Sequence, residues 1–211
     1  MLGDILLIEE KHRIAGEEII QEILKRKKAK FIVGISGESG TGKTELAHVI
    51  AKGLRKYAIF AKPIHIDNYY KVLPLERTEF RQKNGINKVV GYTEYDWDTI
   101  YRNISDFKNS KQSSMPCVDL VTEQVDTLIT NFDGVDMLII DGLYAIKTED
   151  IDLRIFIDLT YHDTKKAQLL RGKEPQNEYR MQVLLQEHKM VSDLKKTANI
   201  IVQKDYSVEF L

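Results

Sequence analysis

Apolar positions along this chain follow two rhythms, and the alternation between them predicts the architecture. Short apolar runs rich in β-branched residues read as strands: Phe31-Ile32-Val33-Gly34-Ile35-Ser36, a segment around or after Pro63 ending in Ile64-His65-Ile66, Met137-Leu138-Ile139-Ile140, Leu153-Arg154-Ile155-Phe156-Ile157-Asp158-Leu159, and residues 198–202. Helical spacing fills the intervals. Residues 10–28 offer Ile14, Ile19, Ile20, Ile23 and Leu24 to one face. Residues 45–54, 96–108 (through Ile100, Ile104 and Phe107, capped by Asp96 or Asp98), 163–171 and 177–195 (through Met181, Leu184, Leu185 and Val191) follow the same period. Residues 67–95 form a polar, irregular stretch, and residues 108–114 a loop. Val118-Asp119-Leu120-Val121 and Val125-Asp126-Thr127-Leu128-Ile129 alternate as a β-hairpin does. Strands alternating with helices predict a three-layer α/β/α sandwich around a mainly parallel sheet. Right-handed crossovers then bring the C-terminal ends of the strands to one edge, where ligands bind.

Composition narrows the function classes. The 211 residues carry a net charge of −1, so no broad basic surface recommends a nucleic-acid partner. The basic run 25–28 ends a helix, where the dipole favours cations. Cys117 is the lone cysteine, which excludes an internal disulfide, and no Cys/His spacing suits zinc. No apolar run approaches a membrane span, and residues 1–10 carry acids rather than the basic flank of a secretory signal. The expectation is a soluble cytoplasmic protein that binds neither nucleic acid nor membrane.

The chemistry is concentrated after the first strand. Gly37, Glu38, Ser39, Gly40, Thr41, Gly42, Lys43 and Thr44 satisfy the phosphate-loop pattern G-x-x-x-x-G-K-[ST], between a strand and a helix start. Backbone N–H groups and the helix dipole make an anion cradle there. Lys43 reaches β- and γ-phosphates, and the Thr44 hydroxyl ligates Mg²⁺. A dinucleotide fingerprint would need glycine at Glu45. Asp141 ends an apolar strand, placing a carboxylate to hold Mg²⁺ beside Thr44. Asp67 ends another and can accept the proton of an attacking hydroxyl. His65 reads as a structural histidine; His12, His48, His162 and His188 show no partner pattern. Arg171, Lys173 and Arg180 flank the Gly172/Pro175 turn, a candidate lid whose arginines can follow the transferring group.

These motifs, taken in order, resemble the uridine kinase/phosphoribulokinase family of phosphate-loop kinases. The residues that carry the resemblance are the loop 37–44, His65-Ile66-Asp67-Asn68-Tyr69-Tyr70-Lys71, Tyr95-Asp96-Trp97-Asp98, Ile140-Asp141-Gly142-Leu143, and Asp163-Thr164 before a basic helix. Order and spacing hold over residues 31–202. The resemblance implies a five-stranded parallel core with a small hairpin and a lid, ATP as donor, Mg²⁺, and a small hydroxylated acceptor such as a nucleoside or a sugar phosphate. It implies that Asp67 acts as catalytic base beside Lys43, that Arg171 and Arg180 are lid arginines, and that Tyr70, Lys71, Tyr95 and Asp96 belong to the acceptor side. Residues 1–30 form an extension that packs on the core or makes a dimer contact. Residues 31–211 form the kinase domain, with an acceptor-binding insertion at 67–132 and the lid at 171–180.

The chain also departs from the family. Asp141 replaces the usual glutamate, Val90-Gly91-Tyr92-Thr93-Glu94 replaces the Asn-Phe-Asp-His-Pro segment of uridine kinases, and Val118 and Glu123 stand where they carry a base-reading tyrosine and histidine. A site built to hydrogen-bond one substrate rejects another, so the resemblance implies a kinase with an altered acceptor pocket. GTP or pyrophosphate as donor, and a nucleotide-binding switch without metabolite transfer, are the competing readings.

Overall fold

The computed structural model describes residues 2–172 and 177–211. Its centre is a six-stranded sheet built from β1 (Phe31–Gly37), β2 (Ala61–His65), β5 (Met137–Asp141), β6 (Leu153–Ile157), β7 (Ile200–Val202) and β8 (Val208–Phe210), in the order β2-β5-β1-β6-β7-β8. The first five strands run parallel, and β8 pairs antiparallel with β7. The expected five parallel strands are therefore present, with one further strand that the final residues add. β2 lies at the edge, which is where Pro63 can be tolerated because a proline has no N–H to give a second neighbour.

Every residue of β1 and of β5 is buried, as a strand covered on both faces requires. Successive side chains of β1 point to opposite layers. Val33 and Ile35 join Ile19, Ile20 and Ile23 of α1 (Glu10–Arg26) and Leu46, Ile50 and Leu54 of α2 (Lys43–Leu54). Ile32 joins Ile100, Ile104 and Phe107 of α5 (Trp97–Lys108) and Tyr144 on the other face. α1 and α2 touch closely because Gly16 has no side chain; a Cβ there would lie 2.6 Å from Val49 Cγ1. Ile14, expected on the buried face, is exposed, since the stripe runs through His12, Ala15, Gly16, Ile19, Ile20 and Ile23.

Three other local expectations are corrected. The stretch 67–95 is not irregular: it holds α3 (Pro74–Asn84) and α4 (Ile86–Val89). Pro74 at the first turn was the available signal. The missing signal was an apolar stripe, because Arg81 is the one buried residue of α3. The hairpin strand β3 (Gln112–Asp119) begins inside the expected loop and pairs with β4 (Gln124–Asn131). α6 (Lys165–Arg171) is followed by α7 (Glu178–Val191), which buries Val183, Leu184, Glu187 and Val191 while Met181 and Leu185 are exposed. Among the described residues no helix is long and apolar enough to cross a membrane.

Candidate active site

The order β2-β5-β1 sets the site, because three neighbouring parallel strands end at one edge. The phosphate loop leaves β1, Asp141 ends β5, and Asp67 lies in the single helical turn Ile66–Tyr69 after β2. The register pairs Asp141 with Ile35 on one side and with His65 on the other.

Backbone geometry explains the loop's composition. Gly42 precedes α2 with φ 89°, a left-handed conformation that disfavours any side chain. A Cβ there would also meet the Tyr206 hydroxyl and the His12 ring, 2.6 Å from Nε2. The Lys43 Nζ reaches back to donate to the Glu38 carbonyl at 2.6 Å, the same oxygen that accepts from Thr41 Oγ1 at 3.0 Å. The loop is held from distant parts of the chain. Thr164 Oγ1 donates to the Ser39 carbonyl at 2.8 Å, and the Tyr206 hydroxyl donates to the Thr41 carbonyl. The Glu38 carboxylate is buried, accepts from the Tyr161 N–H at 2.7 Å and pairs with His188 Nδ1 at 2.6 Å. Arg180 Nη2 donates to Ser39 Oγ at 3.1 Å, and its Nη1 lies 3.5 Å from Glu187.

Asp141 is buried between two partners. Oδ2 accepts from Thr44 Oγ1 at 2.8 Å, and Oδ1 lies 2.5 Å from His65 Nδ1. Burial alone would raise the Asp141 carboxyl; the His65 charge and hydrogen bond, the Thr44 hydroxyl and Lys43 outweigh it and hold the group below the ordinary carboxylate range. His65 stacks on His48, with ring centroids 5.3 Å apart. Thr44 and Asp141 offer two hard oxygen donors side by side, the set that suits Mg²⁺ shared with a polyphosphate. Among the described residues no three His, Cys, Asp or Glu side chains gather to hold a metal unaided.

The side expected to face the acceptor is aromatic and charged. Tyr95 is fully buried and its hydroxyl donates to the Tyr70 hydroxyl at 2.6 Å. Burial, then the nearby Asp67 carboxylate, pushes the Tyr70 hydroxyl well up from its ordinary value. Asp96 caps α5 by accepting from the Thr99 N–H at 3.1 Å, and the exposed Lys71 donates to the Thr93 carbonyl at 3.1 Å. Asp96 is thus engaged structurally, and Tyr95 meets the site through Tyr70. Arg81 makes a two-pronged pair with Glu94 (2.7 and 3.1 Å), and the Arg77 guanidinium lies 3.6 Å over the Tyr70 ring.

The structure therefore gathers Lys43, Thr44, Asp141 and Arg180 around the loop, with Asp67 and Tyr70 along the same edge. Arg171 closes α6, but its side chain lies outside the described residues, as do residues 173–176 of the expected lid, Lys173 among them. Sequence reasoning missed Glu38–His188, Arg81–Glu94, Arg77 and Tyr206. One signal was present for the first: Arg180, Glu187 and His188 share a helix face at i, i+7 and i+8.

The chain is similar to known proteins in sequence and in fold. The chain is 28% identical over 192 residues to a uridine kinase of Staphylococcus aureus (strain JH9), covering 83% of this chain and 88% of that one. The fold is similar to that of a possible uridine kinase from Bacillus stearothermophilus, with TM-score 0.68, 20% identity, and 90% and 97% of the two chains covered. It is also similar to phosphoribulokinase from Rhodobacter spheroides, with TM-score 0.64, 13% identity, and 83% and 70% covered. Residues 32–172 match the Phosphoribulokinase / Uridine kinase family, and the chain belongs to that family of small-metabolite kinases.

Proposed function

We propose that this protein is a Mg²⁺- and ATP-dependent kinase that transfers the γ-phosphoryl group to a hydroxyl of a small metabolite through an altered, uridine kinase-like acceptor site. One observation carries the reading: the loop, Asp141 and Asp67 follow three adjacent parallel strands and so share one sheet edge. An anion cradle, a metal-binding carboxylate and a candidate base along one edge are what phosphoryl transfer needs.

Loop amides and Lys43 bind the β- and γ-phosphates. Thr44 and Asp141 hold Mg²⁺, which supplies charge neutralisation on the phosphate oxygens. Asp67 accepts the acceptor's hydroxyl proton as the new O–P bond forms; the bond from the γ-phosphorus to its bridging oxygen breaks, and ADP leaves. Arg180, with Arg171 from the lid, stabilises charge on the transferring group. Tyr70 and Lys71, with Tyr95 behind Tyr70 and Asp96 beside it, border the acceptor.

The test is ADP release from Mg-ATP across a panel of nucleosides, sugar phosphates, hydroxy acids and polyols. Stimulation by one alcohol, with stoichiometric phosphorylated product, supports the kinase. Flat basal hydrolysis with every member would point instead to a nucleotide switch.

A further inference from the structure

A groove of about 630 Å³ lies between α3, α4 and α7. That volume suits a small metabolite. Its lining has a marked chemical bias. Lys88, Lys189 and Arg81 supply cations, Gln82, Gln182 and Gln186 supply carboxamides, and no described aspartate or glutamate lines it. Among the described residues neither lysine has a carboxylate partner. Arg81 itself is paired through both prongs with Glu94.

Arg81 is also the wall between this groove and the catalytic edge. Its guanidinium lies 5.9 Å from the centre of the Tyr70 ring, and Tyr70 follows Asp67 by three residues. On the near side of Tyr70 stands Arg77. Its Nε is buried without a hydrogen-bond acceptor, and it has no ion-pair partner among the described residues. A guanidinium N–H buried without an acceptor is costly, and an anion is what relieves the cost. Carboxamides beside cations match hydroxyls beside an anionic group.

We infer that this groove is the outer part of the acceptor site and that the acceptor carries an anionic group, a phosphate or a carboxylate, on a hydroxylated backbone. The inference rests on the kinase reading and adds the substrate class to it. The reacting hydroxyl goes to Asp67, while the anionic end is held by Arg77 and the groove cations. A neutral nucleoside leaves those charges unanswered.

The experiment uses the full chain and matched acceptor pairs: ribose 5-phosphate against ribose, and glycerate against glycerol. Ligand-induced melting shifts are measured without ATP, and kinetics with Mg-ATP. The groove variant is Lys88→Glu/Lys189→Glu, two exposed positions away from the loop. The wild type is expected to bind and phosphorylate an anionic member in preference to its neutral twin. The double variant is expected to raise KM for that acceptor about tenfold or more, with KM for ATP unchanged. Equal use of neutral and anionic members overturns the inference, as does a double variant with unaltered acceptor KM and melting shift. The kinase reading fails separately: anionic probes that bind, and lose binding in the double variant, but receive no phosphoryl group would sink it and keep the groove. Transfer to neutral members with no anion binding would do the reverse.

Discussion

The phosphate loop and the acceptor side flank the same sheet edge but are built on opposite plans. The loop is one uninterrupted stretch, residues 37–44, working mainly through its backbone. Its supports come from the Tyr161 N–H and from the side chains of Thr164, Arg180, His188 and Tyr206, all far along the chain. The expected acceptor side has no contiguous motif beyond residues 67–71 and 95–98. Its charges come from α3, from Glu94 and from α7. A backbone cradle needs particular residues at particular spacing and leaves little room for change. A side-chain pocket can be re-chosen one contact at a time. The first half can therefore be kept while the second alters the acceptor.

The comparison can be broken most sharply at Lys43. Lys43→Ala is expected to lower kcat by about 10³-fold or more, with circular dichroism and Tm close to wild type; transfer at the wild-type rate would remove the cradle from the mechanism. Asp67→Asn tests the other half: kcat should fall by about 10²–10⁴-fold while ATP affinity, measured by titration calorimetry, stays within error. Weaker ATP binding at unchanged kcat would move Asp67 to the donor side.

The third variant probes what holds the acceptor side together. The Arg81 and Glu94 side chains are 5% and 8% exposed, so Arg81→Leu strands a buried carboxylate. It should cost about 3–5 kcal/mol in urea unfolding, and the double variant Arg81→Leu/Glu94→Leu should recover most of that. Equal losses in both would show that packing, not charge, is at stake.

The smallest effect lies in the turn that anchors the loop side. Asp163 accepts from the Thr160 N–H and hydroxyl and pairs with Lys204, contacts that lower its carboxyl to about 2. Because the folded value is depressed, its stabilisation is present above the ordinary carboxylate range and fades as pH falls toward 2. Solvent screening keeps it below about 1 kcal/mol. Asp163→Asn should lower Tm slightly at pH 6, and the gap should narrow at pH 3; a gap that widens in acid would contradict the assignment.

Legibility followed the same division. Core strands announced themselves because a strand covered on both faces must be apolar throughout, as β5 is. α3 stayed hidden because it buries a paired arginine instead of an apolar stripe. The buried face of α7 was misread at Met181 and Leu185 because it turns Arg180, Glu187 and His188 toward the loop. β8 was missed because a three-residue edge strand has too few positions to show a period.

By itself, then, the amino-acid order determined the anion cradle, the parallel core and the two carboxylates at strand ends, since each depends on local backbone geometry or a short repeating period. Only the tertiary structure decided which charges are spent on one another. Glu38 meets His188 across 150 residues, and Glu94 closes on Arg81 while Arg77 lies on Tyr70 with no carboxylate among the described residues. Such pairing depends on how distant segments cross, and no periodicity within either segment encodes it.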